Sequence, residues 1–485
     1  MSPYVLLFFV LGYFLLLLGV AWYTSRNSNN DSFFIGNKSS NWMLVAFGMI
    51  GTSLSGVTFV SVPGSVGTSA FAYFQIVIGY LIGYLVIAFV LLPLYYKLNL
   101  TSIYSYLQGR LGFKSYKTGA SFFLLSRTLG ATARLYLVVK ILQDAILSSM
   151  GVPFWVTTLI ILIMILLYTY EGGVKTIVFT DTLQTSFMLG GLVVCVLYIL
   201  YTMDLSFGTA LNTMQDKGYG TIFFTDPNSK LFFLKQIVAG AFITITMTGM
   251  DQEMMQKSIS VRTLRDSQKN MITLSIIMVV VIFLFLFLGG LLHLYGAAQG
   301  VTAVGDQLFP ELALNYMPTA VSIIFIIALI SALFPSADGA ITALTSSFCI
   351  DILGMQRKAA WNEARRKTIR QWVHLTIAGV FLFFVLMFYW IDDKSMIDVI
   401  LKVAAYTYGP LLGLFTFGII TKRQVNDSLV PLVCILAPIL CYIIERYQKY
   451  IFGDFQIGLE LLLINGAITF VGLMLVSIKK EQQKI

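Results

Sequence analysis

The chain has 485 residues, 58% of them hydrophobic and only 11% charged, with a mean hydropathy of +0.83. Soluble domains carry about 25% charged residues, so this composition excludes a soluble enzyme or nucleic-acid-binding domain and specifies a polytopic, all-α membrane protein. The formal net charge of +9 belongs with basic loops at an anionic membrane face, not with a nucleic-acid groove.

Apolar runs near spanning length lie at 4–23, 42–66, 69–96, 118–149, 152–170, 177–202, 231–250, 271–297, 317–350, 371–391, 395–420, 428–447 and 458–478. With a threshold of about 18 apolar residues they predict about thirteen transmembrane helices. Backbone polar groups in hydrocarbon must be satisfied within the segment, which leaves helix as the reading of every run. No Lys or Arg precedes the run at 4–23, so it reads as an uncleaved first helix and not as a signal peptide.

Three runs are interrupted. The run 42–66 places Gly51, Thr52, Ser53, Leu54, Ser55 and Gly56 at its centre. The run starting at 231 passes Thr244, Thr246 and Thr248 to reach Gly249 and a polar end. Spans broken at matching places in two halves of a chain point to a transport site at mid-bilayer. These two are the second and seventh runs. That spacing predicts inverted five-helix repeats, 42–202 and 231–420, with an extra helix before them (4–23) and two after (428–478), all in a single domain over 1–485. Close helix packing by small residues is the alternative at each break.

The third interruption is in the run 317–350. Ser331, Pro335, Ser336, Asp338, Gly339, Thr342 and Thr345 make its second half polar. Pro335 has no amide to donate and frees a carbonyl one turn earlier. An intramembrane carboxylate faces a cavity, a partner or an ion rather than lipid. Carbonyls, hydroxyls and a carboxylate suit a small hard cation; a kinked packing helix is the alternative. Asp181, early in the sixth run, is a second such carboxylate and shares a helix face with Gln184. Two carboxylates in different spans predict one cation pathway.

Other polar residues are less telling. Cys195, Cys349, Cys434 and Cys441 sit in apolar runs without CxxC spacing and read as packing residues. His293 and His374 are isolated. Arg134 lies in mid-span near Arg127 and Lys140. It is a candidate clamp for a carboxylate, or else pairs with Asp144 or snorkels to the interface.

Lysines and arginines gather in alternate loops. One side holds Arg26 and Lys38, then Lys97, Arg110, Lys114 and Lys117, then Lys175, then Lys257, Arg262, Arg265 and Lys269, then the six between Arg357 and Arg370, then Lys422 and Arg423, and finally Lys479, Lys480 and Lys484. The other side holds Lys217, Lys230, Lys394, Arg446 and Lys449. The bias predicts an outside N-terminus and a cytoplasmic C-terminus in the cell (inner) membrane.

Several stretches, in order and on the expected spans, resemble the sodium/solute symporter family. They are Glu171-Gly172-Gly173 followed by Thr180-Asp181 and Gln184; Gly249-Met250-Asp251-Gln252 with Gln256; Ser336-Ala337-Asp338 with Ser346 and Asp351; and the run Tyr408 to Phe415, YGPLLGLF. The resemblance covers nearly the whole chain. It implies a LeuT-like inverted-repeat fold and a sodium site. By that resemblance the sodium ligands map to the carbonyls of Gly51 and Leu54, the carbonyl of Ala332, and the side chains of Ser336, Asp338 and Asp181. Pro335 and Gly339 depart from the pattern, since neither offers a hydroxyl. Ser53, Ser55, Arg134, Thr244, Thr248 and Tyr408 are the candidate solute contacts.

The reading is therefore a sodium-coupled symporter that imports an amino acid, organic acid or sugar by alternating access, and not an enzyme. Its expected partners are the solute, sodium and lipid, with no nucleic acid, and it is expected to work as a monomer. A proton-coupled or uncoupled relative, or a transporter-like sensor, is the alternative.

Overall fold

The computed structural model describes residues 3–24, 40–169, 173–358, 360–391 and 396–478. Arg26, Lys38, Glu171, Gly172, Lys394, Lys479, Lys480 and Lys484 lie outside the described residues, as does the side chain of Lys175. Among the described residues, seven helices are long and apolar enough to cross a bilayer, and up to ten spans result if each bent helix pair is one.

The predicted runs each find a helix. In chain order these are α1 (Pro3–Thr24), the bent pair α2 (Trp42–Ser53) and α3 (Gly56–Ser69), α4 (Tyr73–Lys97), α5 (Phe113–Met150), α6 (Phe154–Thr169) and α7 (Gly173–Thr202). There follow the bent pair α8 (Phe233–Gly249) and α9 (Gln252–Ile259), α10 (Leu264–Ala298), α11 (Thr319–Ile352) and α12 (Glu363–Ile391). The bent pair α13 (Met396–Thr407) and α14 (Gly409–Ile420), then α15 (Val430–Arg446) and α16 (Leu461–Leu475), complete the chain.

Two of the three predicted interruptions are breaks. α2 and α3 meet at 56° and α8 and α9 at 66°. The third is not: α11 stays helical through Pro335. A helix tolerates proline when neighbours satisfy the freed carbonyl. A further bend, of 45°, separates α13 from α14 at Tyr408-Gly409-Pro410. There Asn465 of α16 donates to the carbonyls of Ala405 (3.0 Å) and Tyr406 (2.9 Å), which the bend leaves without helical amides.

The second break is capped on both sides. Tyr95 and Tyr104 donate their hydroxyls to the carbonyls of Gly249 (2.8 Å) and Met250 (2.9 Å). Asp251, extended at φ −101° and ψ 126°, accepts from the amides of Glu253 (2.9 Å) and Met254 (3.3 Å) and starts α9.

α11 is the axis of the bundle. Of its apolar window 78% is buried, against 28% for α1 and α12, which lie at the periphery. α4 and α8 pack backbone to backbone through glycines. A Cβ on Gly79 would collide with the carbonyl of Ile237, and one on Gly240 with that of Ile76. In a bilayer, where lipid competes equally for apolar side chains, such close approach is what holds helices together. Gly79→Ala is expected to lower stability by about 1–3 kcal/mol, because the obstructing atom is backbone and has no room to yield. Gly12→Ala, with nothing within 4 Å, is expected to leave the thermal midpoint of the detergent-purified protein unchanged.

Candidate cation and solute site

At the first break the chain leaves helical space at Leu54 (φ −96°, ψ 82°) and is extended at Ser55 (φ −73°, ψ 174°). The last carbonyls of α2 therefore lack amides from a following turn. Unlike the other two breaks, this one has no side-chain donor to the carbonyls of residues 51–54 among the described residues. The oxygens are left for something else.

The break lies against α7 and the polar half of α11. Gly51 donates its amide to Thr185 Oγ1 (3.2 Å), and a Cβ on it would stand 3.4 Å from Pro335 Cγ. Gly48 lies against Asp181, whose Cβ would be 3.1 Å from a Cβ at residue 48. Gly48 and Thr52 thus lie beside Asp181, and Gly51 lies beside Thr185 and Pro335. Ser336 Oγ donates to the carbonyl of Leu333 (2.8 Å), which leaves its lone pairs open. Pro335 frees the carbonyl of Ser331; Ala332 is the next residue and is fully buried.

Asp181 and Asp338 are each half satisfied. Asp181 Oδ2 accepts from Thr52 Oγ1 (3.2 Å) and Lys257 Nζ (2.7 Å). Asp338 Oδ2 accepts from the hydroxyl of Tyr168 (2.7 Å) on α6. The other oxygen of each carboxylate is buried without a protein partner, as is Thr342 Oγ1 one turn beyond Asp338. A buried acceptor left unmade costs about 1–3 kcal/mol, more when charged. Such atoms on facing helices fit a cation.

The surrounding charges are also buried. Glu253 pairs with Arg127 and lies 3.4 Å from Lys257. Asp251 accepts from the hydroxyl of Tyr408 (2.9 Å), with Arg127 Nε at 3.9 Å. Among the described residues, Lys257 and Arg127 are the only cationic side chains in direct contact with Asp181, Asp251, Glu253 and Asp338. A surplus of negative charge at this depth must be met by a bound cation or a proton.

The solute candidates separate into two groups. Arg134 and Tyr408 line one small cavity with Ser126, Arg127, Met247 and Ala404. Arg134 is half-buried and makes no hydrogen bond or ion pair among the described residues. Ser53, Ser55, Thr244 and Thr248 do not line that cavity. Ser53 and Ser55 sit at the first break, and Thr248 is buried in the last turn of α8. Thr244 packs against α4, where a Cβ on Gly83 would stand 2.6 Å from its Cβ.

One residue assigned to a basic loop is not there. Lys257 is 2% exposed and lies inside the bundle, so it leaves the charge tally of the loops. Windowed hydropathy falls at Asp251–Lys257, which disguises α9 as a loop. The signal that would have found it is Glu253 and Lys257, an i, i+4 pair on one helix face just after Gly249. Tyr168 carries no comparable signal, being one aromatic in an apolar span. His374 turns out to be a packing device: its ring nitrogens stand 3.1 Å from Thr169 Oγ1 and 3.0 Å from Thr345 Oγ1. All four cysteines are free and buried.

Known proteins place this geometry. A family model described as "Sodium:solute symporter family" matches residues 33–428. The sodium/sialic acid symporter SiaT of Proteus mirabilis is 24% identical over 94% of this chain and 92% of its own. The sodium/sialic acid symporter NanT of Aliivibrio fischeri is 23% identical over 90% and 86%. The rabbit (Oryctolagus cuniculus) sodium/glucose cotransporter 1 is 21% identical over 86% and 68%. Among solved structures, a substrate-bound, outward-open Na+-coupled sialic acid symporter superposes with a TM-score of 0.83, at 20% identity over 98% of this chain and 97% of that one. The nucleobase-cation symporter Mhp1 in a closed conformation gives 0.58 at 12% identity over 93% and 94%. The matched length, the broken helices and the order of the polar spans agree with one another: the chain belongs to the sodium:solute symporter family, whose members are sodium-coupled transporters and not enzymes.

Proposed function

We propose that this symporter imports a small carboxylate-bearing solute, that sodium is held between the first break and α11, and that the solute is held beside Arg134. The observation that supports the sodium site is the close approach of Gly51, at the uncapped break, to Pro335, whose neighbours in sequence include Ser336 and Asp338, with one unpaired oxygen each on Asp181 and Asp338. Carbonyls of Gly51 and Leu54, the carbonyl of Ala332 and the hydroxyl of Ser336 replace the ion's water, with the two carboxylates supplying charge.

Coupling follows from where the ligands sit. They belong to a bent helix pair, α7 and α11, so an ion that binds all of them favours the arrangement in which they converge. Tyr408 and Arg127, joined to Asp251 at the second break, line the cavity of Arg134. The solute therefore completes the same arrangement from the other break. By linkage, each ligand tightens the other by the same factor.

The solute class rests on Arg134. A guanidinium half-buried in a cavity with no protein acceptor suits a bidentate carboxylate. Two of the named relatives are sodium/sialic acid symporters, whose solute is an acid. We also place the N-terminus outside the cell membrane and the C-terminus in the cytoplasm, on the bias of the loop cations that remains without Lys257, and take the repeats as 42–202 and 231–420 in a functional monomer.

Two outcomes are expected. In proteoliposomes, tracer uptake of an organic acid is expected to need an inward sodium gradient. Ser336→Ala and Asp338→Asn are each expected to raise the half-saturating sodium concentration about tenfold or more, the loss of about 1.4 kcal/mol of ion binding. Unchanged sodium dependence in both removes the assigned site. Separately, Arg134→Gln is expected to raise the solute KM roughly 10- to 150-fold, from the loss of about 1.5–3 kcal/mol of charged hydrogen bonding. Sodium binding without solute should stay intact; equal KM values for wild type and variant exclude the carboxylate clamp.

A further inference from the structure

We infer that Lys257 is a tethered cation that fills one of two cation positions at the first break, so that the protein binds a single sodium ion. This inference rests on the sodium site proposed above. It goes further by assigning a role to a residue outside that site and by fixing the number of ions.

The ammonium is coordinated as a bound ion would be. It has three N–H donors and three acceptors from three elements: Thr52 Oγ1 at the end of α2 (2.7 Å), Asp181 Oδ2 on α7 (2.7 Å) and Glu253 Oε1 on α9 (3.4 Å). It is buried, and it closes the same gap between the broken helix and α7 that a free cation would close. α11 makes room for it. Gly339 is the one residue of its polar turn without a side chain; a Cβ there would collide with Glu253 Oε1 and stand 3.2 Å from Lys257 Nζ. The glycine, the ammonium and the glutamate fit together as one unit.

Charge then limits what else binds. A sodium ion placed on Thr52 Oγ1 and Asp181 Oδ2 would compete for the two oxygens the ammonium already holds. Two like charges in such close contact repel strongly in a buried, low-dielectric site. That position is closed to sodium while Lys257 holds it. Asp181 Oδ1 and Asp338 Oδ1 are buried without a protein partner and stay available to an ion at the other position. One mobile ion takes that position and one fixed ion keeps the first. The fixed charge also ties α9, and with it the second break, to the cation site, because Lys257 and Asp251 cap and occupy the same short helix.

The experiment counts ions. Equilibrium binding of radioactive sodium to the purified full-length protein is expected to saturate at one ion per chain, with a Hill coefficient of about one for sodium in uptake. Lys257→Gln removes the charge and keeps hydrogen-bonding capacity. It is expected to bind two ions, with a Hill coefficient approaching two. Adding Asp181→Asn to Lys257→Gln should return the count to one, and Lys257→Arg should leave it at one. Two ions in the wild type, or one in a folded Lys257→Gln variant, overturns the inference while leaving sodium coupling in place. Should Lys257→Gln fail to fold, the wild-type and Lys257→Arg counts decide alone. Absence of any sodium binding in the wild type would instead overturn the sodium site itself.

Discussion

Four carboxylates held at the centre of a membrane protein are the constraint around which the rest is arranged. Asp181, Asp251, Glu253 and Asp338 are all nearly inaccessible to solvent. Lone charges in such a place are prohibitive, and pairs survive only with good geometry and filled hydrogen bonds. The protein meets part of the demand internally, with Lys257, Arg127, Tyr168 and Tyr408. The part it leaves unmet is one oxygen each on Asp181 and Asp338, which the proposed function assigns to a bound cation.

The three broken helices show how the same defect serves different ends. Each bend exposes carbonyls that a continuous helix would have paired. At the second bend two tyrosines take them, and at the third Asn465 does. Those bends are thereby structural, and they fix the angle at which polar side chains enter the bundle. The first bend has no such donor among the described residues, and it lies against Pro335 of α11. A backbone defect becomes a binding site only where the protein declines to repair it.

The proposed ion and solute sites are joined by a network of buried charge. Arg127 reaches Glu253 and Asp251 on α9, while Tyr408 reaches Asp251 from the third bend. Arg127 and Tyr408 thus link the cavity of Arg134 to the acidic cluster beside the proposed cation site. Under the proposed function, ordering one end of this network lowers the cost of ordering the other, through buried charge that is strong over short distances in a low dielectric.

The sequence by itself determined the membrane class, the helix positions and two of the three breaks, because these depend on local composition: apolar length, glycine and hydroxyl residues in mid-span, and the order of short polar stretches. It also pointed to Asp181 and Asp338, since a carboxylate in an apolar run is conspicuous wherever it finally lies. Only the tertiary structure decided which break stays open, that Pro335 does not break α11, that Tyr168 meets Asp338, and that Lys257 is an interior ion rather than a loop charge. Those facts depend on what stands opposite each residue across helix interfaces, from chain segments about 60 to 200 residues apart. Hydropathy averaged along the chain carries no record of that.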